Sequence, residues 1–123
     1  MAIDNFSTSG RRPLLWPLQI KGGVGSDTLT GDLVLSAKSS QWLRINPGLA
    51  PRSVDLPGTA QDLEDSDGAW FMVLNTATGA TAITVRDPAG ATVATLSQNE
   101  RALFVGTGAE AWVHMGIETI ALS

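Results

Sequence analysis

Four sets of residues in this 123-residue chain have types or spacing that bear on chemistry: one histidine, a cluster of carboxylates, four tryptophans and a glycine-rich run. His114 stands alone and the chain has no cysteine, so a zinc site built from His and Cys is implausible. A Ser-His-Asp triad would have to use His114, and no nucleophile elbow of the form GxSxG occurs. A lone histidine in a strand pattern is far more often a surface or interface residue. The carboxylates Asp62, Glu64, Asp65 and Asp67 fall within Thr59–Gly68, the one acidic cluster. Asp65-Ser66-Asp67-Gly68 copies the middle of a calcium loop, but the regular run of oxygen ligands and the closing glutamate are missing. Solvated loop residues are the expectation there, with room for one helical turn. A glycosidase pair would have to come from the same cluster. Lys21–Asp27 carries three glycines, yet no GK[ST] follows and no helix opens, so a flexible hinge is expected rather than a phosphate cradle. The expectation is no enzyme, no metal and no cofactor.

The elements that would position these residues are strands. Trp70–Asn75 is apolar on both faces, as for a strand buried on both sides. Ala82–Arg86 alternates, with Ile83 and Val85 on one face and Thr84 and Arg86 on the other. Asp87-Pro88-Ala89-Gly90 is a turn, since Pro88 presets φ and Gly90 takes positive φ easily. Thr92–Leu96, Ala102–Val105 and Ala111–Met115 follow, parted by Ser97–Glu100 and Gly106–Glu110. Upstream, Thr28–Ala37 reads as a strand broken at Gly31-Asp32, Gln41–Ile45 as another, and Arg52–Leu56 as a short one ended by Pro57-Gly58. Turn signals every eight to twelve residues predict an all-β fold, a small antiparallel β-barrel or sandwich. Trp42, Trp70 and Trp112 lie in these strands. Core or subunit seam is the ordinary place for such rings, and a sugar-stacking row is the alternative. Trp70 is expected in the core; Trp42 and Trp112 stay open.

Charge divides the chain. Residues 1–22 hold three basic residues against one acidic, a net +2, and the remainder holds five against eleven, a net −6. A basic arm on an acidic body suits docking onto an acidic partner surface. The body has no basic patch with interleaved aromatics, so nucleic acid is not an expected partner. No run of eighteen apolar residues and no secretory pattern is present, so no membrane partner is expected either. The division predicts an extended arm and hinge over residues 1–22 and a β body over 23–123.

Within the arm, residues 11–20 (RRPLLWPLQI) are apolar, and Pro13 and Pro17 exclude a helix interior or central strand. Ordering about eight residues costs on the order of 8–16 kcal/mol. Burying Leu14, Leu15, Trp16, Leu18 and Ile20 returns roughly 8–15 kcal/mol. The arm therefore orders only against a real groove, a partner's or its own. Arg11, Arg12, Leu14, Leu15, Trp16 and Leu18 are the candidate partner-binding residues, with Trp16 as anchor.

The succession QWLRINPGLAPRSVDLP, then DLEDSDGAWFMVLNTATGATAITVRDPAGATVATLSQNERALFVGTGAEAW, over about residues 41–113, resembles the capsid decoration (cement) proteins and head-fibre domains of tailed bacteriophages. The likeness lies in the "FxxLNT" strand, the "ITV–D–G–T–IATL" hairpin, the "xxNE" turn and the closing strand with a tryptophan. The resemblance implies a homotrimer on the outside of a capsid, clamping neighbouring copies of the major capsid protein. It implies localisation in the virion after synthesis in the bacterial host cytoplasm. Fibre-tip, receptor-binding and carbohydrate-binding β-domains share part of the pattern and supply the alternative.

Overall fold

The computed structural model describes residues 24–120, and the arm residues named above lie outside that range. Nine strands follow in order: β1 Val24–Thr28, β2 Leu33–Val34, β3 Trp42–Asn46, β4 Arg52–Asp55, β5 Trp70–Asn75, β6 Ile83–Arg86, β7 Thr92–Leu96, β8 Glu100–Gly108 and β9 Ala111–Thr119. A single 3-10 turn spans Thr59–Gln61, and the described residues include no α-helix. No helix among them is long and apolar enough to cross a membrane.

The strands form two sheets, ordered β1-β3-β5-β8-β9 and β2-β4-β6-β7. Their alternating side chains meet in one core: Leu43, Ile45, Phe71, Val73, Ala102 and Phe104 from the first sheet face Val54, Ile83, Val85, Ala94 and Leu96 from the second. The all-β sandwich follows from the period-two pattern. Leu43 and Ile45 point inward while Trp42 and Arg44 point away, as their alternation requires.

The strand directions differ from an antiparallel fold. Four of the seven pairings among the described residues are parallel and three are antiparallel. From β1 to β6 the chain crosses from one sheet to the other at every turn, so the next strand laid down in each sheet runs the same way as the last. Only at β6–β7 and β8–β9 does it fold back beside itself. A turn signal states that the chain reverses. It does not state whether the new strand lies beside the old one or across the sandwich from it.

Other boundaries shift for physical reasons. The expected hinge over Lys21–Asp27 ends early, because Val24–Thr28 pairs in parallel with Trp42–Asn46. Backbone ladder bonds along β3 outweigh the poor strand propensity of Gly25-Ser26. The single broken strand over Thr28–Ala37 is instead the end of β1 in one sheet and β2 in the other. β8 and β9 outrun the expected Ala102–Val105 and Ala111–Met115 because they pair along nearly their whole length. The turn joining them places both Ala109 and Glu110 at positive φ, +53° and +65°. That is the geometry a two-residue hairpin needs, adopted here without glycine.

The turn residues tie the ends of the sandwich together. Asp87 Oδ1 accepts from the amides of Ala89 and Ala91, and Gly90 N–H donates to Asp87 O at 2.9 Å. Glu110 Oε2 accepts from the backbone N–H and the hydroxyl of Thr59, joining the β8–β9 turn to the 3-10 turn. These two bonds hold the Glu110 carboxyl below its ordinary value of 4.5. A depressed carboxylate stabilises the fold above the unfolded value and loses that contribution as pH falls through the folded one. Glu110→Gln should therefore narrow the loss of thermal stability seen on acidification below about pH 4.5, while lowering stability at neutral pH. Parallel melting curves that keep a constant offset from pH 7 to pH 3 would rule this linkage out.

Candidate interaction surface

The acidic loop is built to cover the sandwich. Asp65 Oδ1 accepts from the Asp67 amide at 3.0 Å, so Asp65-Ser66-Asp67-Gly68 is an Asx turn. Gly68 N–H donates to Gly106 O and Gly106 N–H to Ala69 O, binding the loop to β8. A Cβ at Gly106 would enter the space of the Ser66 backbone carbonyl, so this approach requires glycine. Among the described residues no three His, Asp or Glu side chains stand together in a way that could hold a metal ion. His114 lies exposed on β9, its Nδ1 accepting from the Gly116 amide at 3.2 Å.

The tryptophans separate. Trp112 is buried, its ring 5.9 Å from Phe71 and its Nε1–H donating to Pro57 O at 3.2 Å. Trp70 is not a core residue. In register with Val105, it lies on the outer face of the five-stranded sheet and is half-buried. The apolar run Trp70–Asn75 conceals an alternation in which Phe71 and Val73 face the core while Trp70 and Met72 face away.

Register builds the outer face of that sheet row by row. Trp42 pairs with Met72 and Met72 with Leu103, giving one row across β3, β5 and β8. Trp70 pairs with Val105 and Val105 with Val113, giving the adjoining row across β5, β8 and β9. The next row in the other direction is Arg44, Leu74, Arg101 and Glu118, closed by an Arg101–Glu118 ion pair at 3.0 Å. Two apolar rows therefore lie side by side, bounded on one side by charge.

At β9 the pairing shifts between Ala102 and Phe104, and Gly116 there takes φ +98°. The bulge changes which residues face the core: Trp112 points inward before it, and Ile117 stands opposite buried Ala102 after it. Met115 is left 66% exposed beside Val113 at 44%. Here a shallow depression of about 320 Å³ opens between Met72, Leu103, Met115 and Ile117.

The opposite outer face is mainly polar. Ser53, Thr84 and Thr95 form its middle row. Beside them Arg86 clamps Asp55 through Nε–Oδ1 at 2.7 Å and Nη2–Oδ2 at 2.9 Å. The Asp55 bond holds the Arg86 guanidinium above its ordinary value. The sandwich thus has one mainly apolar outer face and one mainly polar outer face, the latter interrupted by exposed Val34 on β2. Sequence reasoning missed this surface because it assigned Trp70 to the core; the signal was the parity of Trp42 against Leu43, carried across the sheet by a register that sequence does not contain. The candidate residues Arg11, Arg12, Leu14, Leu15, Trp16 and Leu18 lie outside the described residues. Compared with known proteins, the chain matches no protein-family model and no curated protein.

Proposed function

We propose that the chain is a non-enzymatic structural protein of a tailed-phage particle, a trimer that coats the outside of the capsid and steadies the head. The observation that carries this reading is the one-sidedness of the sandwich: an outer face set with Trp42, Trp70, Met72, Leu103, Val105 and Val113, against a back of hydroxyls and paired charges. Apolar patches rimmed by polar residues mark docking surfaces. The resemblance over residues 41–113 supplies the partner class, the major capsid protein. Residues 11–20 supply a strap able to lie along a neighbouring subunit, with Pro13 and Pro17 limiting how many ladder bonds it adds to a sheet edge.

The stabilising mechanism is linkage. A copy that binds the assembled shell and not its separated subunits must be released before the shell comes apart. Three arms on one rigid body raise the effective concentration of each remaining arm once the first has bound. Deleting residues 1–20 should leave a folded body that no longer coats purified shells, as read by co-sedimentation and electron microscopy. Full coating by the truncated body would refute the strap.

Trp42 and Trp70, both half-exposed on the outer face, favour a second reading as a fibre-tip or carbohydrate-binding domain. Specific glycan binding abolished by Trp42→Ala would establish it. Trp112, buried against Phe71, takes no part in that reading.

A further inference from the structure

We infer that copies of this chain meet flank to flank on the outer face of the five-stranded sheet, with Trp42 and Arg44 of one copy set against the depression and Glu118 of the next. The inference deepens the trimer of the proposed function: it rests on that reading for the number of copies and names the surface on which they join.

Shape is the first argument. Trp42 and Arg44 stand two residues apart on the outward side of β3, the ring half-buried and the guanidinium exposed. On the other flank Met72, Leu103, Met115 and Ile117 line the depression of about 320 Å³, with Arg101 and Glu118 at its rim. One flank carries an aromatic knob and the other a hollow with an apolar floor. A bulky aromatic seated in a pocket is the usual centre of a protein interface. Trp42 of the same chain lies outside that lining, since β3 is three strand spacings from β9, about 14 Å.

Charge is the second argument. Arg44 and Glu118 end the same row, which runs through Leu74 and Arg101. Glu118 Oε1 accepts both bonds from Arg101, at 3.2 and 3.0 Å, and Oε2 has no hydrogen bond among the described residues. Arg44 has no ion pair among the described residues, and the same three spacings part it from its own Glu118. An unspent cation on one flank thus matches an unspent carboxylate oxygen on the other. An exposed pair of this kind adds little energy, but it fixes register and orientation.

Symmetry joins the two. Rotation about an axis parallel to the strands keeps every row at its own height. It carries the β3 flank of one copy to the β9 flank of the next. The Trp42 row then meets the hollow, and the Arg44 row meets Glu118, in one operation. Both halves of the match belong to this chain, so a second copy is the occupant its residues specify. Because different flanks meet, the contact is heterologous, and such contacts close into rings where the rotation permits.

The chain has no cysteine, which makes the test direct. Full-length Trp42→Cys and Met115→Cys chains are co-expressed and treated with a short bis-maleimide, and products are read by denaturing gel and peptide mass spectrometry. A link between positions 42 and 115 then forms only between chains. Arg44→Cys co-expressed with Glu118→Cys repeats the test on the adjoining row and leaves Trp42 in place. Ser53→Cys with Thr95→Cys, on the polar face, is the control. The expected result is covalent dimers formed at least tenfold faster by both outer-face pairs than by the control or by any variant alone. Equal rates in all samples overturn the seam. So do dimers of Met115→Cys alone as fast as those of the pair, which mean that β9 edges join each other. Light scattering on the wild type counts the copies separately. Three agrees with the trimer, two retires the trimer and leaves the seam standing, and one at every concentration removes the seam. Linked copies that coat no purified shells retire the capsid reading alone.

Discussion

Asn75→Ala should cost about 3–5 kcal/mol, because three backbone groups, in two buried bonds and one part-buried, lose their partner at once. Asn75 closes β5 with no exposure to solvent. Its Nδ2 donates to Thr81 O at 2.8 Å and Leu96 O at 2.9 Å, and its Oδ1 accepts from Ala77 N–H at 2.8 Å. One side chain thus fastens the end of the five-stranded sheet to β7 opposite and to the loop that leads into β6. Asn75→Asp separates hydrogen bonding from packing. A carboxylate there would face two carbonyl oxygens out of water, so its folded pKa rises above the unfolded value of about 3.9. A raised pKa gives stability that is present below the unfolded value and lost as pH climbs through the folded one. Urea unfolding should show Asn75→Asp falling further behind wild type between pH 4 and pH 8, with Asn75→Ala at a constant offset. An Asp variant whose deficit ignores pH would show that the amide is not held as described.

The second large effect is Phe104→Ala. Phe104 is fully buried at the middle of β8, opposite Phe71 on one side and His114 on the other. Truncating a buried phenylalanine costs about 3–5 kcal/mol through lost transfer energy and the cavity left behind. Domains of this size hold about 5–15 kcal/mol in total, so a fall of roughly 10–20 °C in the melting temperature is expected. Leu103→Ala, one residue away on the outer face, should cost far less. Its effect belongs instead to whatever covers the Trp42–Met72–Leu103 row. Equal losses for the two neighbours would mean that the inward and outward faces have been assigned the wrong way round.

The contrast between residues 103 and 104 shows what was legible in the sequence. Alternation told the two faces of β3 and β6 apart correctly, and the 87–90 turn lies where Pro88 and Gly90 place it. In β5 the period-two signal is erased, because outward Trp70 and Met72 are as apolar as inward Phe71 and Val73. Asn75 was legible only as the end of a strand: its bonds to Ala77 and Thr81 close the loop that follows, and Leu96 is brought near by the sandwich. Glu110 likewise reads as turn residue from its neighbours, and its bonds to Thr59 depend on two distant turns meeting at one end of the fold.

The crossing of the chain between sheets at each turn from β1 to β6 has a kinetic corollary. Val24 must find Trp42, and Trp42 must find Met72, each across an intervening strand of the other sheet. Such pairs gain nothing until long loops have closed, and that ordering slows the search. The hairpins β6–β7 and β8–β9, by contrast, join sequence neighbours. A ribosome delivers this chain with its slow, non-local half first and its quick, local half last, so the early strands wait, with Leu43 and Ile45 uncovered, for the end that can nucleate them.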